Sequence, residues 1–151
     1  MAQTHEYVAN VNWQGGKDGK GDLSFAASGV RNPIAVPPEF QGPGGGASPE
    51  ELLTGAIAAC YTMTFGIIAQ NRKLPVKDIK TVATGEVEQN GAQFTYTAVT
   101  IRPTITVESE TGEDQLKMVD DMAHKADLYC IITNAVRGKV NITVEPNIVK
   151  G

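Results

Sequence analysis

One segment constrains the fold of this chain more than any other: Ser48-Pro-Glu-Glu-Leu-Leu-Thr-Gly-Ala-Ile-Ala-Ala-Cys-Tyr-Thr-Met-Thr-Phe-Gly-Ile-Ile-Ala69. Ser48 suits an N-cap and Pro49 the first helical position. Glu51, three residues after Ser48, completes a capping box. The end is expected around residues 71–74, where Arg72 and Lys73 suit the C-terminal dipole and Pro75 stops the helix. Between Leu52 and Ala69 the helix is apolar on most faces, and Gly55, Ala56, Ala58 and Ala59 permit close approach. Such a helix is expected to be buried on all sides. The chain has 151 residues, which fits a single domain, 1–151, with a real core. A twofold partner is an economical way to surround the helix, so an intimate homodimer is expected.

The flanking pattern supplies sheets. Residues 5–13 roughly alternate apolar and polar, Gly15–Gly21 is dense in turn residues, and Leu23–Phe25 starts a second strand, giving a hairpin. Residues 29–47 are rich in Gly and Pro and read as a connecting loop that delivers Arg31 and Phe40 near the helix start. Val76–Gln89 and Gln93–Val107 alternate over long stretches around Asn90-Gly91, a strong hairpin signal. Glu113–Leu128 has helical periodicity, residues 129–136 form a second short piece, and Val140–Val144 is a final strand. The order predicts an α+β fold with antiparallel sheet and segregated helices.

Charge and composition narrow the function. The formal net charge is −4, and no basic stripe interleaved with aromatics appears, so no nucleic-acid partner is expected. The apolar stretch Ile57–Ala69 is short for a membrane span, and the N-terminus lacks the pattern of a signal peptide, so a cytosolic protein without membrane association is expected. In that compartment a cysteine pair points to redox or metal chemistry, although Cys60 and Cys130 read equally well as two unrelated buried thiols. The chain's two histidines, His5 and His124, show no metal-ligand spacing with either cysteine, so no metal is expected. No Gly-x-Ser-x-Gly elbow for a serine hydrolase occurs.

Glu50 and Cys60 lie ten residues apart on the long helix, about 15 Å along its axis and about 80° around it. They do not meet within one helix. An antiparallel pair of such helices across a dimer axis brings the Glu50 end of one toward the Cys60 region of the other. Compensation of the helix dipole in the first turn is the simpler account of Glu50. Cys130 sits where a new helical turn starts, a place that acidifies a thiol, and its alternative is a small buried hydrophobe.

Gly-Gly-Ala-Ser-Pro49-Glu50-Glu51-Leu52, Gly55-Ala-Ile-Ala-Ala-Cys60, Lys125-Ala-Asp-Leu-Tyr-Cys130-Ile-Ile-Thr133 and the strand 140–145 together resemble the OsmC/Ohr family of thiol-dependent peroxidases. The resemblance covers nearly the whole chain. It implies an intertwined homodimer with antiparallel sheets wrapped around long central helices and an active site at the interface. It implies that Cys60 attacks a peroxide and becomes a sulfenic acid, and that Cys130 condenses with it to a disulfide. A dithiol such as dihydrolipoamide, free or on a lipoylated protein, would reduce that disulfide without metal, flavin or haem. Glu50 would hold a cation and orient the peroxide. Ile57, Tyr61, Phe65 and Phe40 would line an apolar site that favours organic hydroperoxides.

The family's arginine is missing from both places where its branches carry it. Lys17 and Lys20 stand in the hairpin and Glu39 in the loop, so Arg31 is the expected substitute. Ile131 follows Cys130 where the family usually has proline. The chain thus reads as a divergent branch. The missing arginine motivates an alternative, a stress-related binding or redox-sensing dimer with little peroxidase turnover.

Overall fold

The computed structural model describes residues 2–151, which fall into two compact units, one up to Leu52 and one from Leu53 to Gly151. The N-terminal unit is a three-stranded antiparallel sheet of β1 (Ala9–Gln14), β2 (Lys20–Phe25) and β3 (Arg31–Ile34), in sequential order. The expected hairpin is present, with Gly15 at φ 104° opening the turn. β3 lies inside the stretch expected to be loop. Its Pro33 lacks a ladder N–H, a composition that hides a strand from pattern reading and that an edge position tolerates. After β3 comes a 3-10 turn, Pro38–Phe40.

Helix α1 runs from Pro49 to Asn71. Its capping box forms as expected: Glu51 N–H donates to Ser48 Oγ at 3.1 Å, and Ser48 N–H donates to Glu51 Oε1 at 3.2 Å. Such a cap contributes about 1 kcal/mol. At the other end Leu74 N–H reaches Ala69 O and Lys73 N–H reaches Gln70 O, with Lys73 left-handed at φ 54°. This is a Schellman closure built without glycine, so Arg72 and Lys73 lie beyond the helix.

The C-terminal unit is a sheet of β4 (Val76–Asn90), β5 (Gln93–Val107), β6 (Asn141–Val144) and β7 (Asn147–Lys150). β4 and β5 form the long hairpin, closed by Gly91-Ala92 with Gly91 at φ 64°. Only one loop residue needs positive φ, so the turn sits one residue later than Asn90-Gly91 suggests. The antiparallel pattern does not extend to the last strands: β6 and β7 both pair parallel to β5, and β7 was not read from the sequence. β6 covers Ala98–Ile101 and β7 covers Thr104–Val107. Between these two ladders lies Pro103, which has no N–H to give to either strand.

α2 (Glu113–Lys125), a 3-10 turn (Ala126–Tyr129) and α3 (Ile131–Val136) complete the unit. Its core joins one stripe of α1, Ile57, Tyr61, Phe65 and Ala69, to the alternating Val99, Ile101, Ile105 and Val107 of β5 and to Val119, Met122 and Ala123 of α2. Tyr61 and Phe65 stack with ring centroids 6.5 Å apart, and Tyr61 Oη donates to Ala123 O at 2.5 Å. Burial and the nearby Asp127 charge push the Tyr61 phenol well above its usual range. Gly85 lets α1 approach β4, because a Cβ there would lie 2.6 Å from Thr54 Oγ1 and against Tyr96 Oη.

α1 is not buried on all sides within one chain. Ala56, Ala59, Met63 and Ile67 form an exposed apolar stripe at three- and four-residue spacing. With 23 residues and a mean hydropathy of 1.7, α1 is long and apolar enough to cross a membrane by length and composition, and 22% of that stretch is buried. The helix has the expected bounds, and the apolar run Ile57–Ala69 is only part of it.

Candidate active site

Cys60 projects beside the stripe that anchors α1 in the core, one residue before the fully buried Tyr61. Cys130 links the 3-10 turn to α3 in extended backbone (φ −84°, ψ 120°) and caps α3, its Sγ accepting from Thr133 N–H at 3.4 Å. The two sulfurs share a hydrogen bond, and both are free thiols. Cys60 is partly exposed and Cys130 is fully buried. Thr64, one turn beyond Cys60, places its Oγ1 3.9 Å from Cys60 Sγ. The backbone N–H groups of Ile131 and Ile132 also hydrogen-bond the Cys60 sulfur.

These contacts divide the proton unequally. Burial raises the Cys60 thiol, but the hydrogen bonds from Cys130, Ile132, Thr64 and Ile131 outweigh it and leave Cys60 below the usual thiol range. Burial pushes Cys130 up, and so does its hydrogen bond to Cys60, against the opposing contacts with Thr133. Cys60 is therefore the more acidic sulfur of the pair and Cys130 the less acidic.

Thr64 and the two backbone N–H groups were missed in the sequence. Thr64 was findable, at i+4 from Cys60 on a helix. The amides were not, since every residue except proline has one.

In the N-terminal unit, Glu50 lines a cavity of about 380 Å³ with Trp13, Ile34, Val36, Pro37 and Phe40. Phe40 and Glu50 thus share a cavity, and Trp13 joins them without a sequence signal. Arg31 donates through Nη1 to Asp22 Oδ2 across the β2–β3 pair. It lines a neighbouring hollow with Lys20 and the same Trp13. Lys17 Nζ donates to Gln41 Oε1 at 3.4 Å.

Ile57, Tyr61 and Phe65 require correction. They have no exposed surface and pack in the core, so they do not line a peroxide site. An apolar stripe at four-residue spacing reads the same in a sequence whether it faces a core or a pocket.

The family profile described as OsmC-like protein matches residues 42–145, well over half of the chain. The chain belongs to the OsmC-like family. The matched span holds Glu50, Cys60 and Cys130 and leaves out Arg31. The chain is similar to the uncharacterized protein YmaD of Bacillus subtilis, 28% identical over all of this chain and 99% of that one. It is also similar to the peroxiredoxin OsmC of Escherichia coli, 28% identical over 87% of this chain and 90% of that one. An OsmC-like protein of unknown function from Vibrio cholerae has the same fold, with a TM-score of 0.79 at 22% identity over 95% of this chain and 99% of that chain. These identities mark a divergent branch of OsmC-like proteins with a peroxidase-type family role.

Proposed function

We propose that this OsmC-like protein is an organic hydroperoxide reductase with Cys60 as nucleophile and Cys130 as resolving thiol. The observation that carries the reading is the asymmetric thiol pair: a partly exposed Cys60 lowered in pKa, hydrogen-bonded to a buried Cys130 raised in pKa. The Cys60 thiolate attacks the distal peroxide oxygen. The S–O bond forms, the O–O bond breaks, and the leaving alkoxide takes a proton and departs as an alcohol. Cys130 then attacks the Cys60 sulfenic acid. The S–S bond forms, the S–O bond breaks, and the hydroxyl leaves as water with the Cys130 proton. An external dithiol of the dihydrolipoamide class gives two hydrogens to the cysteines and closes to its own disulfide.

Glu50 and Cys60 are too far apart along one helix to share a substrate, so the active form we propose is a homodimer. In it the Glu50 cavity of one protomer faces the thiol pair of the other. The exposed stripe of Ala56, Ala59, Met63 and Ile67 supports this, because a second copy of the same helix would cover it. The Glu50 cavity, with Trp13 and Phe40, suits the organic part of a hydroperoxide. The reading needs no metal, flavin or haem, and a cytosolic setting rich in reducing thiols fits it. Arg31 is assigned no step, since its guanidinium is held by Asp22.

That pairing also favours a second reading. The described partners of Cys60 are a thiol, a hydroxyl and two amides, which suits a redox-sensing or ligand-binding dimer with slow turnover. Cumene hydroperoxide and dihydrolipoamide separate the two. The peroxidase reading expects turnover that Cys60→Ser abolishes. It also expects one oxidation of Cys60 without dithiol recycling in Cys130→Ser. Wild-type turnover in Cys60→Ser would refute it, and oxidation of the native protein no faster than a free thiol would favour the second reading.

A further inference from the structure

Residues 127–137 carry Cys130 on a closed set of hydrogen bonds that the thiol chemistry does not itself use. The Asp127 carbonyl accepts from Cys130 N–H at 3.3 Å, from Thr133 Oγ1 at 2.6 Å and from Arg137 Nη2 at 3.0 Å. The same Nη2 pairs with Asp127 Oδ2 at 3.0 Å. Arg137 Nε donates to Asn134 Oδ1 at 3.0 Å, and Asn134 Nδ2 donates to Leu128 O at 2.9 Å. One guanidinium thus ties the start of the 3-10 turn to the end of α3, with Cys130 between them.

Apolar packing explains only part of the order of this segment. Leu128, Tyr129 and Ile131 are 53%, 65% and 79% exposed, whereas the Asp127 side chain is 10% exposed. The buried side chains here are small or polar, Cys130, Thr133 and Asp127, while the part-buried Ile132 and Val136 pack α3 against the core. The polar brace adds to that anchor and ties the turn to α3. Charge-assisted bonds to a shielded carboxylate are the strong members of such a network.

We propose that Arg137 is a positioning residue for the resolving thiol: acting through Asp127, it holds Cys130 against Cys60 so that the sulfenic acid is captured before a second peroxide reaches it. The inference rests on the peroxidase reading above. A disulfide forms only within a narrow range of Cα separation and Cβ direction, so small wandering of the turn slows closure. The competing step consumes another hydroperoxide. A second S–O bond forms on Cys60, the O–O bond breaks, an alcohol leaves, and the sulfur ends as an irreversible sulfinic acid.

Arg137→Lys keeps the charge but loses the fork that reaches both the carbonyl and Asn134. The double variant Asp127→Asn/Arg137→Gln leaves no orphaned charge. For both, stopped-flow oxidation by cumene hydroperoxide should consume the Cys60 thiol within about threefold of the native rate. Disulfide closure should slow at least about tenfold, and intact mass should show a sulfinic fraction that rises with peroxide dose. A loss of fold alone would depress both steps, and thermal melting of the same samples shows whether it has occurred. Closure at the native rate in both variants, with native protein forming the Cys60–Cys130 disulfide, overturns the role of Arg137 and leaves the peroxidase reading intact. No such disulfide in the native protein overturns both.

Discussion

Around Cys60, the partners of the sulfur are hydrogen-bond donors from nearby structure: the Cys130 thiol, the Thr64 hydroxyl and the amides of Ile131 and Ile132. In the N-terminal sheet the polar chemistry is ionic, and the Arg31 guanidinium is turned to Asp22. The first region lowers a thiol pKa without a formal positive charge. The second spends its guanidinium on a cross-strand ion pair that is largely exposed, with Arg31 62% and Asp22 29% accessible. A thiol pKa can thus be lowered by backbone, hydroxyl and thiol donors alone. What such donors do not supply is a wall that orients the substrate, and in the mechanism we propose this falls to the Glu50 cavity.

Three substitutions sharpen that contrast. The largest effect is expected from Glu50→Gln, which keeps the shape of the cavity and removes its charge. Loss of substrate orientation of this kind costs about a hundredfold, and kcat/KM for cumene hydroperoxide should fall by that order while the Cys60 pKa stays put. Next is Ile131→Pro. The preceding Cys130 is already extended and position 131 opens α3, so proline fits the backbone and deletes one N–H. A hydrogen bond to a charged acceptor contributes about 1.5 kcal/mol at the lower end, or about one pKa unit. The Ile131 amide is the weakest of the Cys60 donors, so the Cys60 pKa should rise by no more than that, and the rate at pH 6 should drop by up to about tenfold while the high-pH rate is kept. An unchanged pH profile would remove the amide from the mechanism. The smallest effect belongs to Arg31→Ala. Exposed ion pairs contribute under about 1 kcal/mol, and Cys60 oxidation should stay within about twofold of native. A hundredfold loss would restore Arg31 as the site's cation.

Much of this architecture was legible because the signals are local. The capping box from Ser48 to Glu51, the hairpin around Gly91 and the short helical piece after Cys130 each depend on a few neighbouring residues. β3 was lost because Pro33 and the surrounding glycines read as loop, although an edge strand has no objection to proline. β7 and the parallel pairing of β6 were lost because partner choice in a sheet is set over long sequence distances. Cys60 and Cys130 stood out by residue type, and Glu50, which lines the cavity of the N-terminal unit, by the family resemblance. Thr64, Trp13 and the two amides did not, and Ile57, Tyr61 and Phe65 were drawn toward the pocket by apolarity that serves the core. The brace between Asp127 and Arg137 is made of residues ten apart whose meeting depends on two successive turns, a geometry no spacing rule reports.

The central claim is that Cys60 is an activated thiolate, and its rate of oxidation against pH tests this most directly. Stopped-flow mixing of the reduced protein with cumene hydroperoxide, and separately with hydrogen peroxide, should give a rate that rises with pH and levels off below the free-thiol value of about 8.5, with the organic peroxide reacting faster. A rate that follows a free thiol up to that pH, with no preference between the peroxides, would contradict the account.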